Sequence, residues 1–298
     1  NYYLNSTKSL LSVPLMPTTG NHEDKGAAIT ENFVIPNVPE QELDSGVYYS
    51  YDYNDVHFTV LNTNDDEGDK LSDAQIEWLK NDVKNSNAKF NVVVLHKAPY
   101  SNGSHVEDSD VEGIRSQLSA LLPYLGVDLV LQGHDHVYMR TAPMVANAVV
   151  PCDEDTATFN GLEYRMKYNP KGTIYSICGT SGVKVYQTKD LAATDKSFPR
   201  AEALTTNSEN SMFSAITVEG DCLYYNAYEV ADGEAIRVDN FAITKTDDKA
   251  PVDKIENEEI QDIFESFFFR LDIQKFWKFL DFVFEYCYKA TSFFGKIF

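Results

Sequence analysis

No two cysteines in this sequence are spaced as a CxxC, and the four that occur, Cys152, Cys178, Cys222 and Cys287, are scattered. Zinc-finger-type thiolate metal binding is thereby excluded. Four cysteines allow three pairings and the sequence selects none; Cys178, within the apolar run Thr173–Cys178, reads as a small buried hydrophobe. Basic residues are scarce as well. The chain sets 25 Lys and Arg against 46 Asp and Glu, a formal charge of −21 with a pI near 4.5. It lacks the cations with which nucleic-acid binders displace counterions, so no nucleic-acid partner is expected. Uncharged runs of 18 residues are missing, which argues against a transmembrane helix. The first residues show neither a charged n-region with an apolar stretch nor a cleavage site, and they read as the middle of a protein.

What is present supports a folded chain. An apolar share of 43% over 298 residues is enough for one large domain or two smaller ones. Val13–Thr18 is a short, Pro-interrupted extended segment leading into Gly20-Asn21-His22-Glu23. Gly46–Tyr53 and Val56–Asn62 are β-rich runs split by Asn54-Asp55, a hairpin signal. Ser72-Asp73-Ala74-Gln75 has a capping-box pattern and opens a helix with Ile76, Leu79 and Val83 on one face. The run Phe90–Leu95 ends at His96, and Ile114, Leu118, Leu121, Leu122 and Leu125 mark a second amphipathic helix. Asp128–Gln132 then runs out into Gly133-His134-Asp135-His136. Strand, helix and strand alternate over residues 56–132, the pattern of an α/β layered domain. Beyond Thr141 the runs near 172–178, 183–187, 212–218, 222–230 and 236–244 read as mostly β.

Three blocks carry chemistry: Asn21 with His22, then His96, then His134 with His136. Each lies where an apolar strand runs out into a loop, the edge at which α/β sheets gather ligands. In extended backbone His134 and His136 project to the same side, roughly 7 Å apart. Imidazoles so placed can each reach one ion of a metal pair about 3.5–4 Å apart. Imidazole suits Zn, Fe, Mn and Cu, and the Asn21 carbonyl oxygen offers a neutral, harder ligand. Taken singly, each block has an ordinary explanation: a surface or core His-x-His, a turn, a structural histidine at a strand end.

In this order and spacing the blocks resemble the calcineurin-like metallophosphoesterase signature: GNH followed by Asp or Glu, a single His after an apolar strand, then GHxH. Thr19–Asp24, Val47–Leu61, Asp128–Arg140 and Gly172–Tyr186 are similar to bacterial, secreted members of the purple acid phosphatase-like kind. The resemblance covers about residues 10–245. It implies an α+β or α/β four-layer sandwich, two β-sheets flanked by helices, held in part by residues 1–245. It also implies two divalent or trivalent metal ions (Fe, Zn or Mn) and hydrolysis of phosphate esters, of the acid phosphatase or phosphodiesterase type. Asn21, His96 and His134 resemble the ligands of one metal, and His136 a ligand of the other. His22 matches a histidine that contacts the phosphate and serves as general acid, and His105 resembles a substrate-side histidine. Tyr100 and Tyr138 read as packing aromatics. An extracellular or cell-envelope location follows from the same resemblance.

The family also carries an Asp-x-His and a Gly-Asp-x-x-Asp ahead of GNHE, the latter with the carboxylate that bridges the metals. Only 19 residues precede Gly20 here, and none is Asp or His. Asp55-Val56-His57 spells the first motif but falls inside the hairpin. Gly68-Asp69 starts the second, with Asp73 one position too late and at a helix start, where Asp is expected anyway. The chain is therefore read as an N-terminally truncated fragment, expected to be weakly active or inactive alone. Two other readings stay open: a non-catalytic surface or binding protein on a degenerate scaffold, and a metal hydrolase of another bond type.

Residues 246–255 read as a linker and 256–298 as an amphipathic, aromatic-rich helical tail. Asp272, Lys275, Lys278, Asp281, Glu285 and Lys289 recur at three- and four-residue spacing as one narrow polar stripe. From Arg270 onward five Lys and Arg stand against three Asp and Glu. Such a helix can lie on a membrane surface, bind a protein partner, or pack on its own domain or an oligomer.

Overall fold

The hairpin signal at Asn54-Asp55 folds as read: β1 (Tyr49–Tyr53) and β2 (Val56–Val60) pair antiparallel, with Asn54 at φ +51° in the turn. The computed structural model describes residues 12–23, 27–35, 38, 47–65, 68–182, 184–188, 201–205 and 209–246. The chain divides into Asn1–Lys249 and Ala250–Phe298. The second unit, with the expected tail helix, lies outside the described residues, as does Cys287. Among the described residues no helix is long and apolar enough to cross a membrane.

After β2 the chain alternates as expected: α2 (Asp73–Asn85), β3 (Phe90–Val94), α3 (Ser109–Tyr124) and β4 (Leu129–Gln132), with a short α1 (Ala27–Asn32) ahead of β1. Ser72 caps α2, its Oγ accepting from the Gln75 N–H at 3.2 Å. The capping box is not reciprocal, because the Gln75 side chain instead holds the backbone of Asn62. Then follow β5 (Tyr138–Thr141), the small β6 (Met144–Val145) and β7 (Ala148–Val149), β8 (Asp153–Phe159), β9 (Leu162–Tyr168) and β10 (Ile174–Cys178). The last strands are β11 (Ala201–Thr205), β12 (Ser211–Glu219), β13 (Cys222–Ala231) and β14 (Glu234–Thr244).

A seven-stranded sheet has the order β1-β2-β3-β4-β10-β5-β11, parallel through β2, β3, β4 and β10. A five-stranded sheet has the order β12-β13-β14-β9-β8. Period-two alternation divides the central strands between two cores. Val93, Val130 and Tyr175 face α2 and α3, packing on Leu79, Ile114, Leu118 and Leu122. Their neighbours Val92, Leu129 and Ile174 face the second sheet and meet Leu223, Tyr225, Phe241 and Ile243. Helix, sheet and sheet are thus three layers of the expected sandwich among the described residues. Tyr100 and Tyr138 are both buried, as packing aromatics should be.

Two segments depart from expectation. Residues 184–188 form no strand. Conversely, β8 and β9 escape a hydrophobic reading because β8 is an exposed, acidic edge strand. Its turn, Asn160-Gly161 with φ of +50° and +76°, was the available signal.

The Asp-x-His of the hairpin serves the fold. His57 Nδ1 lies 2.7 Å from Asp52 Oδ1 and Nε2 lies 2.9 Å from Asp82 Oδ2. Asp82, on α2, also accepts from Ser50 at 2.6 Å and Thr59 at 2.8 Å. Burial opposes charge on His57, but hydrogen bonds and charge from Asp82 and Asp52 outweigh it and raise the imidazole pKa. Burial likewise opposes ionisation of Asp82, and the bonds from His57, Ser50 and Thr59 overcome it and lower the carboxyl pKa. Stability from His57 is full below the ordinary imidazole range and is lost as pH rises through the elevated native value. Stability from Asp82 is present above the ordinary carboxyl range and is lost as pH falls through the depressed one. The wild type should therefore lose about 1–2 kcal/mol more between pH 5 and pH 8 than His57→Gln, measured by urea unfolding. Parallel pH profiles for the two proteins would exclude this.

Candidate metal centre

Three loops at the C-terminal ends of the parallel strands, or facing them, build one cluster of polar side chains. Asn21 comes from the turn after the extended N-terminal segment, and His96 from the end of β3. His134 and His136 follow β4, and His105 sits in the loop that enters α3. His96 is central. Its Nε2 lies 2.8 Å from Asn21 Oδ1 and 3.3 Å from His134 Nδ1. Two glycines make room for the ring: a Cβ on Gly20 would come within 3.1 Å of it, and one on Gly133 within 3.2 Å. The Gly20 turn is closed by its own N–H donating to Glu23 Oε2 at 2.9 Å, and Asn64 Nδ2 donates to the Gly20 carbonyl at 2.7 Å.

His134 is not in the extended conformation that its spacing from His136 suggests. Its φ is +69°, and the Asp135 N–H donates to the Gly133 carbonyl at 2.8 Å, two residues back. That is a γ-turn of the rare positive-φ kind, a strain of about 1–3 kcal/mol of the sort that collects at functional sites. The turn brings His134 to His96 and His105, with ring centroids 5.1 and 4.2 Å away. His136 instead stacks on Tyr186 at 4.6 Å and 8°. Its Nδ1 donates to the Lys184 carbonyl at 2.5 Å. A carbonyl only accepts, so Nδ1 carries the proton and Nε2 is left with the lone pair.

His22 is exposed on the Asn21 turn, within electrostatic reach of His96. Burial, then the charges of His134, His22, His136 and Lys97, push the His96 pKa down to about 4. Burial and then His105 lower that of His134. Both rings are thus neutral at neutral pH, as metal ligation requires. His57 stays apart from the cluster, in the hairpin and on its own carboxylates.

Residues 1–138 match the calcineurin-like phosphoesterase family. Purple acid phosphatase 22 of Arabidopsis thaliana is 33% identical over 150 residues, covering 47% of this chain and 34% of that protein. Human acid phosphatase type 7 is 26% identical over 191 residues, covering 57% of this chain and 40% of that protein. Over residues 1–138 the chain belongs to the calcineurin-like metallophosphoesterase superfamily, and the relatives it resembles are purple acid phosphatases. It spans about a third of the length of the plant relative. In fold it is similar to the purple acid phosphatase PPD1 of yellow lupin seeds, with a TM-score of 0.56 at 20% identity, covering 79% of this chain and 41% of that one.

On this metallophosphoesterase scaffold the structure adds residues that sequence reasoning passed over. Asp135, the middle residue of GHDH, is buried and accepts from the His105 N–H at 3.1 Å. A Cβ on Gly103 would fall 2.3 Å from its carboxyl carbon, so only glycine lets this loop close on Asp135. Asp108 accepts from His105 Nδ1 at 2.7 Å; its signal was the three-residue spacing, masked because Asp is common where helices start. Tyr186 stands between His136 and His105, 5.6 Å from the latter, and gave no signal beyond its place in the stretch Gly172–Tyr186.

Proposed function

We propose that this chain supplies much of a two-metal centre that hydrolyses phosphate esters. The observation that supports it is the convergence of Asn21 Oδ1, His96 Nε2 and His134 Nδ1 at 2.8 and 3.3 Å. Ligands about 2.0–2.2 Å from one ion are spaced by about 2.8–3.6 Å, so both separations fit a shared cation. Two imidazoles and an amide oxygen suit Zn, Fe or Mn. His136, with its Nδ1 proton held by Lys184, offers Nε2 to the second ion, the arrangement by which an outer partner fixes a ligand's tautomer.

Bound metal ions would acidify a water and neutralise charge on the phosphoryl oxygens. His22, exposed on the turn that carries Asn21, would give a proton to the departing oxygen of the ester. His105, packed on His134, orients the phosphate from the opposite loop. The test compares wild type with His136→Ala after loading with zinc, manganese and iron salts, using aryl phosphate mono- and diesters. The variant should be at least about 100-fold slower on whichever ester the wild type prefers. Equal rates would remove His136 from the site and the two-metal reading with it.

A further inference from the structure

His105 is fastened from two sides. Its backbone N–H donates to the buried Asp135 carboxylate at 3.1 Å, and its ring Nδ1 donates to Asp108 Oδ2 at 2.7 Å. The surrounding loop is pinned in turn by Arg115 of α3, which donates to the Pro99 and Val106 carbonyls at 3.0 and 3.1 Å. Lys97 reaches the start of the same helix through Asp110 at 2.8 Å.

Asp108 occupies the N-cap position of α3, yet its side chain makes no capping hydrogen bond. An N-cap Asp ordinarily accepts from the N–H two or three residues on, which stabilises the helix start. Here the carboxylate forgoes that bond and turns back to His105. Asp110 and Glu112 in the first turn remain to meet the positive end of the helix. A carboxylate can only accept, so Asp108 sets the tautomer of His105: Nδ1 carries the proton, and Nε2 is the nitrogen left for other contacts. The ring so held lies 4.2 Å from the His134 ring.

We propose that Asp108 is a positioning residue, fixing the tautomer and ring orientation of His105 so that Nε2 meets the phosphate of the substrate. This rests on the phosphoesterase reading above and extends it to a residue whose type and place suggest only a helix cap. His105, Asp108 and His134 each bring a ligating atom within 4.8 Å of the others, and a cation could be chelated directly between them. The 2.7 Å separation of His105 Nδ1 and Asp108 Oδ2 is that of a charge-assisted hydrogen bond and lies below the range of about 2.8–3.6 Å between ligands of one ion, which favours positioning.

Asp108→Ser separates the roles, because serine caps helices as well as aspartate but is too short to reach His105. In the metal-loaded protein Asp108→Ser should keep or raise the melting temperature. It should lower kcat/KM for an aryl phosphate by about tenfold and weaken inhibition by inorganic phosphate in parallel. Asp108→Asn, which caps equally well and keeps an acceptor oxygen in reach, should recover most of the loss. In a His105→Ala background Asp108→Ser should cost nothing further. Bound metal should be unchanged, and nitrogen-15 NMR should show His105 protonated at Nδ1 in wild type and mixed in Asp108→Ser. Three results would overturn the proposal: activity falling only in step with melting temperature, a full tenfold loss persisting without His105, or loss of metal in Asp108→Ser. If the wild type hydrolyses no phosphate ester, the functional reading fails separately, and an unchanged His105 tautomer in Asp108→Ser would then overturn the positioning as well.

Discussion

Replacing His96 by alanine should remove bound metal and hydrolysis together, the largest functional loss expected from one side chain of this protein. His96 meets both other members of its proposed ligand set, Asn21 at 2.8 Å and His134 at 3.3 Å. Two glycines, Gly20 and Gly133, leave room for its ring. With its pKa pushed down to about 4, the ring is already neutral at pH 5, and metal binding displaces no proton from it there. Outer partners of metal ligands typically contribute 10–100-fold, so loss of the ligand itself should exceed about 100-fold in kcat/KM. Metal content by plasma emission and turnover of an aryl phosphate should fall together while the far-ultraviolet circular dichroism stays native. Full metal occupancy in His96→Ala would place the ion elsewhere. Because unfolded imidazoles take up protons near pH 6.5 and native His96 only near 4, the metal-free wild type should also lose stability as pH falls through that interval.

The layered fold was legible wherever one face of an element is buried and the other is not. Leu79 and Val83 on α2 announce themselves by period, whereas Phe90–Leu95, buried on both faces, shows as a short apolar run ending at His96. The edge strand β8 did neither, because Asp153-Glu154-Asp155 faces water on both sides and pairing with β9 alone makes it a strand. Of the candidate cluster, Asn21, His22, His96, His134 and His136 could be singled out from order and spacing. The geometry of the His-x-His was not: extended backbone would carry the two side chains outward together, whereas the γ-turn at His134 sends one to His96 and the other to Tyr186. Long-range partners such as Lys184 and Asp135 were invisible for a plainer reason. Their roles consist of one carbonyl and one carboxylate brought across tens of residues by the fold, and no local pattern marks either.

Asp239→Ala should be the most destabilising single change, costing about 3–5 kcal/mol. Asp239 lies on β14 of the five-stranded sheet and Arg140 on β5 of the seven-stranded one, so the pair bolts the two sheets together. Arg140 Nε and Nη2 donate to the two carboxylate oxygens at 2.6 and 3.1 Å, and the Tyr138 hydroxyl donates at 2.5 Å. The side chains are only 4% and 11% exposed, so alanine would leave a guanidinium and a phenol buried without their acceptor. Arg140 would retain its place over the Phe241 ring, 4.6 Å from the centroid, a cation–π contact that offsets only part of the loss. Burial opposes ionisation of Asp239, but the bond and charge of Arg140, then Tyr138, hold its pKa below the ordinary carboxyl value. Stability from the pair is therefore present above about pH 4 and is lost as pH falls through the depressed native value. Asp239→Asn, which keeps the acceptor oxygen and loses the charge, should cost about half as much as alanine. Domains of this size have roughly 5–15 kcal/mol in total, so alanine at 239 should bring the urea midpoint of the metal-free protein down by a third or more. A shift worth less than about 1 kcal/mol would mean that the sheets are held by the apolar interface of Leu223, Tyr225 and Phe241 alone, and that Arg140 finds water when its partner is removed.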